Sequence, residues 1–130
     1  MVRLPRVFTG LFLIAIITIA GAGFLFFQQY RQTQLDQRSS FMARRALQLL
    51  NQSFGNRAQL KRAIKLAERA RQLNPQNHHP YFILAMASLE QQRQQDAIRF
   101  LEQAIERAPE QLNFRSFLAD ILVSTGQPAK

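Results

Sequence analysis

The sequence predicts an all-α protein: an N-terminal transmembrane helix followed by a short solenoid of helix–turn–helix repeats, about two and a half in number. Three observations carry that expectation. Val7 to Phe27 is an unbroken apolar run. Ala63, Ala70 and Pro75 recur at one constant offset as Ala97, Ala104 and Pro109, and at that same offset Leu50 recurs as Leu84 and again as Leu118. Between Gly, Pro and Asn breakers, the last two-thirds of the chain carries apolar residues at helical spacing.

The apolar run, VFTGLFLIAIITIAGAGFLFF, contains no charge. As a helix it would extend about 31 Å, enough to cross the hydrocarbon core of a bilayer. A cleaved signal peptide is the competing reading, with Arg3 and Arg6 as its basic flank and Ala20-Gly21-Ala22 as its cleavage site. Phe24-Leu25-Phe26-Phe27 continues the run past that site and would become a greasy new terminus, which favours the uncleaved anchor. A soluble core helix is disfavoured, because one face of a small domain cannot cover so many consecutive apolar positions. The amine, Arg3 and Arg6 cluster tightly before the run, whereas Arg31, Arg38, Arg44 and Arg45 are spread out after it. The dense cluster gives the expected orientation, with the N-terminus in the cytoplasm and the domain outside it; counting over a longer window gives the reverse.

Charge is unevenly distributed. Arg31 to Arg71 holds ten basic and two acidic residues, a net of +8, whereas Gln72 to Lys130 holds five basic and six acidic, a net of −1. The basic half follows the anchor directly, where anionic lipid headgroups attract Lys and Arg by about 1 kcal/mol each. Ordinary solvated surface is the alternative. Nucleic acid is not an expected partner, since no aromatic residues interleave the basic ones as stacking platforms. There is no cysteine, so disulfides and thiolate metal sites are excluded.

The elements follow in order. Residues 1–6 form a short flank, 7–27 the anchor, and 28–40 a polar stretch that reads equally as helical stalk or loose linker. Residues 41–126 form the helical domain and 127–130 a tail. A first helix is expected from Phe41 to about Gln52, then a turn at Ser53-Phe54-Gly55-Asn56. A second runs from about Gln59 to Leu73, with Leu60, Ala63, Ile64, Ala67, Ala70 and Leu73 as its apolar stripe. Asn77 is a fitting N-cap for a third helix, and Pro80 falls in its first turn, where a missing N–H costs little. Tyr81, Leu84, Ala85, Ser88 and Leu89 form its inner face. A fourth helix spans about Gln95 to Ala108, ahead of Pro109. The fifth spans about Leu112 to Val123, ahead of the stop Ser124-Thr125-Gly126-Gln127-Pro128.

The segment from Arg44 to Gly126 resembles tetratricopeptide repeats, with units at about 44–77 and 78–111 and a partial one at 112–126. The second repeat matches at Tyr81, Leu84-Ala85, Ala97, Leu101, Ala104 and Pro109. The first matches at Leu47, Leu50, Ala63, Ala70 and Pro75, with Asn51 and Ala67 departing from the pattern; the third matches at Leu118-Ala119, Leu122 and Gly126. The resemblance implies stacked helix pairs that hold a peptide or partner helix in a groove lined by the first helix of each pair. Its groove positions are Arg45, Gln48 and Gln52, then His79, Phe82, Met86 and Glu90, then Asn113, Ser116 and Asp120. The Lys and Asn clamp that some members use for a C-terminal carboxylate is absent, since the matching positions are Gln48, Gln52 and Ile83.

Two further surfaces stand out. Arg57, Lys61, Lys65 and Arg69 lie four apart and form a basic stripe that suits acidic lipid, an acidic partner or plain solvent. Phe114, Phe117 and Ile121, with Leu118, Leu122 and Val123, make the last helix unusually apolar for a solenoid end, which points to self-association or a second protein. His78 and His79 have no cysteine or further histidine to complete a metal site. No catalytic residues, metal or cofactor are expected. The expected function is a single-pass, membrane-anchored protein–protein interaction module: an adaptor, scaffold or assembly factor. An integral small subunit of a membrane complex and a cleaved, exported module are the alternatives.

Overall fold

A computed structural model describes residues 6–53 and 55–126. Every described element is a helix: α1 (Arg6–Asn51), α2 (Arg57–Leu73), α3 (His78–Glu90), α4 (Gln94–Arg107) and α5 (Leu112–Ser124). The N-terminal flank with Arg3, the turn residue Phe54, and the Gln127-Pro128 stop with its tail lie outside the described residues. The chain divides into two compact units, one ending at Gln34 and the other starting at Leu35.

The first unit is the N-terminal part of α1. From Gly10 onward this helix is long and apolar enough to cross a membrane, with a mean hydropathy of 2.5 in its most apolar window. Leu11 through Phe27 present bulky side chains without protein cover; Phe12, Ile19 and Phe26 are each more than 70% exposed. The Thr18 hydroxyl donates to the carbonyls of Ala15 (2.9 Å) and Ile14 (3.1 Å), so even this polar group is satisfied within the helix. The polar stretch 28–40 is helical throughout, as the absence of Gly and Pro there allows.

The second unit is built from the end of α1 and α2 to α5. Ser39, Ala43, Ala46 and Leu50 lie on one side of α1 and are buried. With Leu60, Ala63, Ala67 and Ala70 of α2, and Ile83, Leu84 and Ala87 of α3, the apolar ones form a first cluster. A second cluster joins Tyr81 and Ala85 of α3, Ala97, Ile98, Leu101 and Ala104 of α4, and Phe114 and Ile121 of α5. Helix α3 therefore serves both clusters, one on each side. The residues paired by the repeat occupy equal environments: Ala63 and Ala97 are fully buried, as are Ala70 and Ala104. Leu50 and Leu84 are buried too, while Leu118 is only partly covered.

The helix ends follow local chemistry. Asn56 caps α2, its side chain accepting from the N–H groups of Ala58 and Gln59, and Asn77 caps α3 by accepting from His79. Helix α3 closes with the Arg93 N–H donating to the Ser88 carbonyl (2.8 Å) and that of Gln92 to Leu89 (2.9 Å), around Gln92 at φ 60°. The equivalent residue one repeat on is Gly126, at φ 68°, after α5. A left-handed backbone costs glutamine energy that glycine does not lose. Gln92→Gly is therefore expected to raise stability by about 0.5–1 kcal/mol in thermal or denaturant unfolding. In the same measurement, Ala97→Leu, which forces a branched side chain into the α3–α4 contact, is expected to cost about 1–3 kcal/mol.

Candidate functional site

The expected groove residues sit on α1, α3 and α5, except Gln52, which lies in the turn just after α1. Arg45, Gln48 and Gln52 are exposed, as are His79, Asn113, Ser116 and Asp120. Three others are engaged in internal contacts. The Phe82 ring stacks on Phe114 with centroids 5.0 Å apart and meets Phe117 at 5.5 Å, tying α3 to α5. Met86 packs against the first cluster. The Glu90 carboxylate lies 2.8 Å from the Ser53 hydroxyl and joins the end of α3 to the turn after α1. Phe82 and Met86, the two apolar residues among the expected groove positions, are thus half-buried between helices, and the open part of this face is polar.

The apolar patch expected on α5 requires correction. Phe114 (4% exposed) and Ile121 (7%) belong to the second cluster and are not a surface. Their separation is close to two helical turns, which places both on the side of α5 that meets α4. The exposed bulky residues of α5 are Leu112, Val123 and, in part, Phe117.

The basic stripe is a surface as expected. Arg57, Lys61, Lys65 and Arg69 are all exposed on α2. Among the described residues none of them joins an ion pair; the α2 pair is Arg71 with Glu68, at 2.6 Å. An open hollow of about 560 Å³ is lined by residues of the α1–α2 and α3–α4 turns, with Arg57, Lys61 and Glu90 among them.

Two arrangements were not anticipated from sequence. The Ser39 hydroxyl, fully buried, donates to the Ala70 carbonyl at 2.8 Å and accepts from the Asn77 side chain at 2.9 Å. Asp36 accepts from the Asn74 amide alongside. On the other side of the same connection, the Pro75 carbonyl accepts from the Tyr81 hydroxyl (2.9 Å) and from Arg107 Nε (2.6 Å), and the Arg107 guanidinium lies 4.0 Å from the Tyr81 ring centroid. The polar run Asn74-Pro75-Gln76-Asn77 marked a connection, but nothing in its spacing named these partners.

His78 and His79 open α3 with ring centroids 4.1 Å apart, and the His78 ring also meets Phe114 at 5.6 Å. Among the described residues no group of three or more His, Cys, Asp or Glu side chains gathers as a metal site. Both histidines titrate below the ordinary value. Partial desolvation by the surrounding protein is the main cause for each, although His79 keeps an exposed surface; at His79, His78 and Arg44 push the same way, while at His78 the Glu110 carboxylate opposes.

No protein-family model matches the chain, and no curated protein matches it.

The lowered histidines set a direction for pH. The unfolded chain takes up these protons near the ordinary value of about 6.5, before the folded chain does, so stability present above that value is lost as pH falls towards the folded values. The unfolding temperature of the full chain in detergent is expected to drop between about pH 7.5 and pH 5.5, and His78→Gln/His79→Gln to flatten the drop. A parent and a double variant with the same slope would contradict it.

Proposed function

We propose that this chain is a single-pass, membrane-anchored member of the tetratricopeptide repeat family, serving as an adaptor, scaffold or assembly factor that holds a protein partner at a membrane. The observation that carries the reading is the equivalence of successive helix pairs. Alanines one repeat apart lie fully buried in matching environments, and short connections join successive helices along the second unit, as a stacked array requires. Such arrays present the first helix of each pair as a binding face. Here that face carries Arg45, Gln48 and His79 in the open, over a rigid floor in which Phe82 and Met86 are already packed. The open residues are polar and of mixed charge, with Arg45 on α1 and Asp120 on α5, which suits a partner segment recognised by hydrogen bonds more than one buried as an apolar helix.

Anchoring is supported by the apolar helix from Gly10, whose side chains have no protein cover. The expected orientation, N-terminus in the cytoplasm, goes with this reading. Tethering matters energetically: a partner in the same membrane meets the face at a high effective concentration, so a modest intrinsic affinity suffices.

The test uses the full chain in the membranes of the cell that makes it, with a photoreactive amino acid at one position at a time. At Gln48 or His79 it is expected to yield an adduct with a defined partner protein, and at Lys65 on the opposite helix row it is not. The chain is also expected to stay in the membrane pellet after alkaline washing. Equal adducts from both helix rows would refute the groove, and release by the wash would refute the anchor.

A further inference from the structure

On the outer side of α5, positions equivalent to covered ones of α3 lie open. Ala119 corresponds, one repeat on, to Ala85, and Val123 to Leu89. In α3, Ala85 is fully buried in the cluster built with α4, and Leu89 packs against it. In α5, Ala119 is exposed and Val123 is 77% exposed, with Leu112 71% exposed on the same side. Among the described residues no helix lies on α5 as α4 lies on α3.

This open side has the form of a helix seam. Leu112, Ser116, Ala119 and Val123 are spaced at alternating fours and threes, the d-a-d-a pattern of a two-stranded coiled coil. The Ser116 hydroxyl turns back to donate to the Leu112 carbonyl at 3.3 Å, so its polar group is occupied within the helix. With Leu112 at d, Arg115 falls at g and Asp120 at e, both exposed and, among the described residues, in no ion pair. In a parallel pair, the g residue of one chain meets the next e residue of the other. Arg115 then faces Asp120 of the second copy, twice by symmetry. An antiparallel pair would set arginine against arginine and aspartate against aspartate.

We infer that α5 pairs in parallel with α5 of a second copy of this chain, along the seam Leu112–Ser116–Ala119–Val123, with Arg115–Asp120 pairs flanking it. The inference rests on the membrane-anchored reading. Two small seam residues in a 13-residue helix give little burial, and confinement in one bilayer supplies the concentration that such a contact needs. Small residues at the centre bring the two backbones close, as Ala85 and Ala97 do between α3 and α4.

Because the chain has no cysteine, single cysteines report the contact without background. The full chain is reconstituted into phosphatidylcholine vesicles, washed at alkaline pH and oxidised with copper phenanthroline. Ala119→Cys and Ser116→Cys are each expected to give a covalent dimer, and Lys61→Cys on α2 is not. Adding Arg115→Asp to Ala119→Cys is expected to cut the yield by roughly three- to tenfold, and adding Asp120→Arg to that variant to restore it. No dimer from either seam cysteine, at parental helix content, would overturn the inference, as would a yield indifferent to the charge reversal. So would an adduct to a protein of different mass, in place of the dimer, in the membranes of the expressing cell. If the wash strips the chain from the vesicles, the anchor fails on its own account. The same oxidation is then read on the released chain at high concentration, where a dimer through Ala119→Cys keeps the seam and its absence ends it.

Discussion

Close helix contact through alanine is the constraint on which the second unit depends. Of the 19 buried apolar residues among those described, ten are alanine, all at most 2% exposed. Alanine loses no side-chain entropy on burial and lets backbones approach closely, but it removes little apolar area from water. The hydrophobic drive must therefore come from the few large residues set between the alanines: Ile83 and Leu84 in the first cluster, Tyr81, Leu101 and Phe114 in the second. Such a core has little room to relax around an added methylene. It also makes α3 the central element, since only α3 contributes large buried residues to both clusters.

Close packing leaves the connections between helices as the next problem, and polar groups solve it. The α2–α3 connection exposes the last carbonyls of α2 to a crowded environment, where an unpaired group costs about 1–3 kcal/mol. The Ala70 carbonyl accepts the closing N–H of Asn74 and, as a second donor from inside the core, the hydroxyl of Ser39, which is itself held by Asn77. Tyr81 and Arg107 converge on the Pro75 carbonyl from α3 and α4. One short segment is thereby bonded to α1, α3 and α4, so α1 is coupled to the second helix pair through hydrogen bonds as well as through packing. Arg107 does double duty, covering the Tyr81 ring while its guanidinium donates to the Pro75 and Gln103 carbonyls.

Much of this was legible in the sequence because punctuation is local. Asn77, Pro80, Pro109 and Gly126 set helix boundaries close to those observed. The repeat spacing correctly paired the buried alanines, because close approach admits little else at those positions. What stayed unread depends on partners distant in sequence. Whether 28–40 continues as helix turned on residues such as Ser39 and Asp36, whose partners Ala70, Asn77 and Asn74 lie beyond the whole of α2's first turns. The rotation of α5 decides which of its bulky residues point inward; Phe114 and Phe117, less than one turn apart, end 4% and 38% exposed. Phe82 and Met86 read equally as groove floor or packing, and only the rings of Phe114 and Phe117 place Phe82 in the packing. The candidate binding face was therefore legible as a set of positions and not as a surface.

The contrast between α3 and α5 shows how one repeat unit adapts to two environments. Tyr81, buried in α3, is replaced by exposed Arg115, and half-buried Phe82 by exposed Ser116. Those two changes remove aromatic area from a side that no helix covers among the described residues. Leu112, where α3 has His78, and Val123, where α3 has Leu89, are nevertheless apolar and exposed, each forfeiting about 1.5–3 kcal/mol of burial. The polar replacements flank or interrupt these apolar residues at helical spacing without dispersing them. A side that is polar at its margins and apolar along one line has the composition of a contact between separate helices. It differs from the α3–α4 contact, where Tyr81 and Ala85 meet Ala97 and Leu101 with no charged margin on the α3 side. Helix α5 thus combines a buried inner face, fixed by Phe114 and Ile121, with an exposed outer line of Leu112, Ala119 and Val123 set between Arg115 and Asp120.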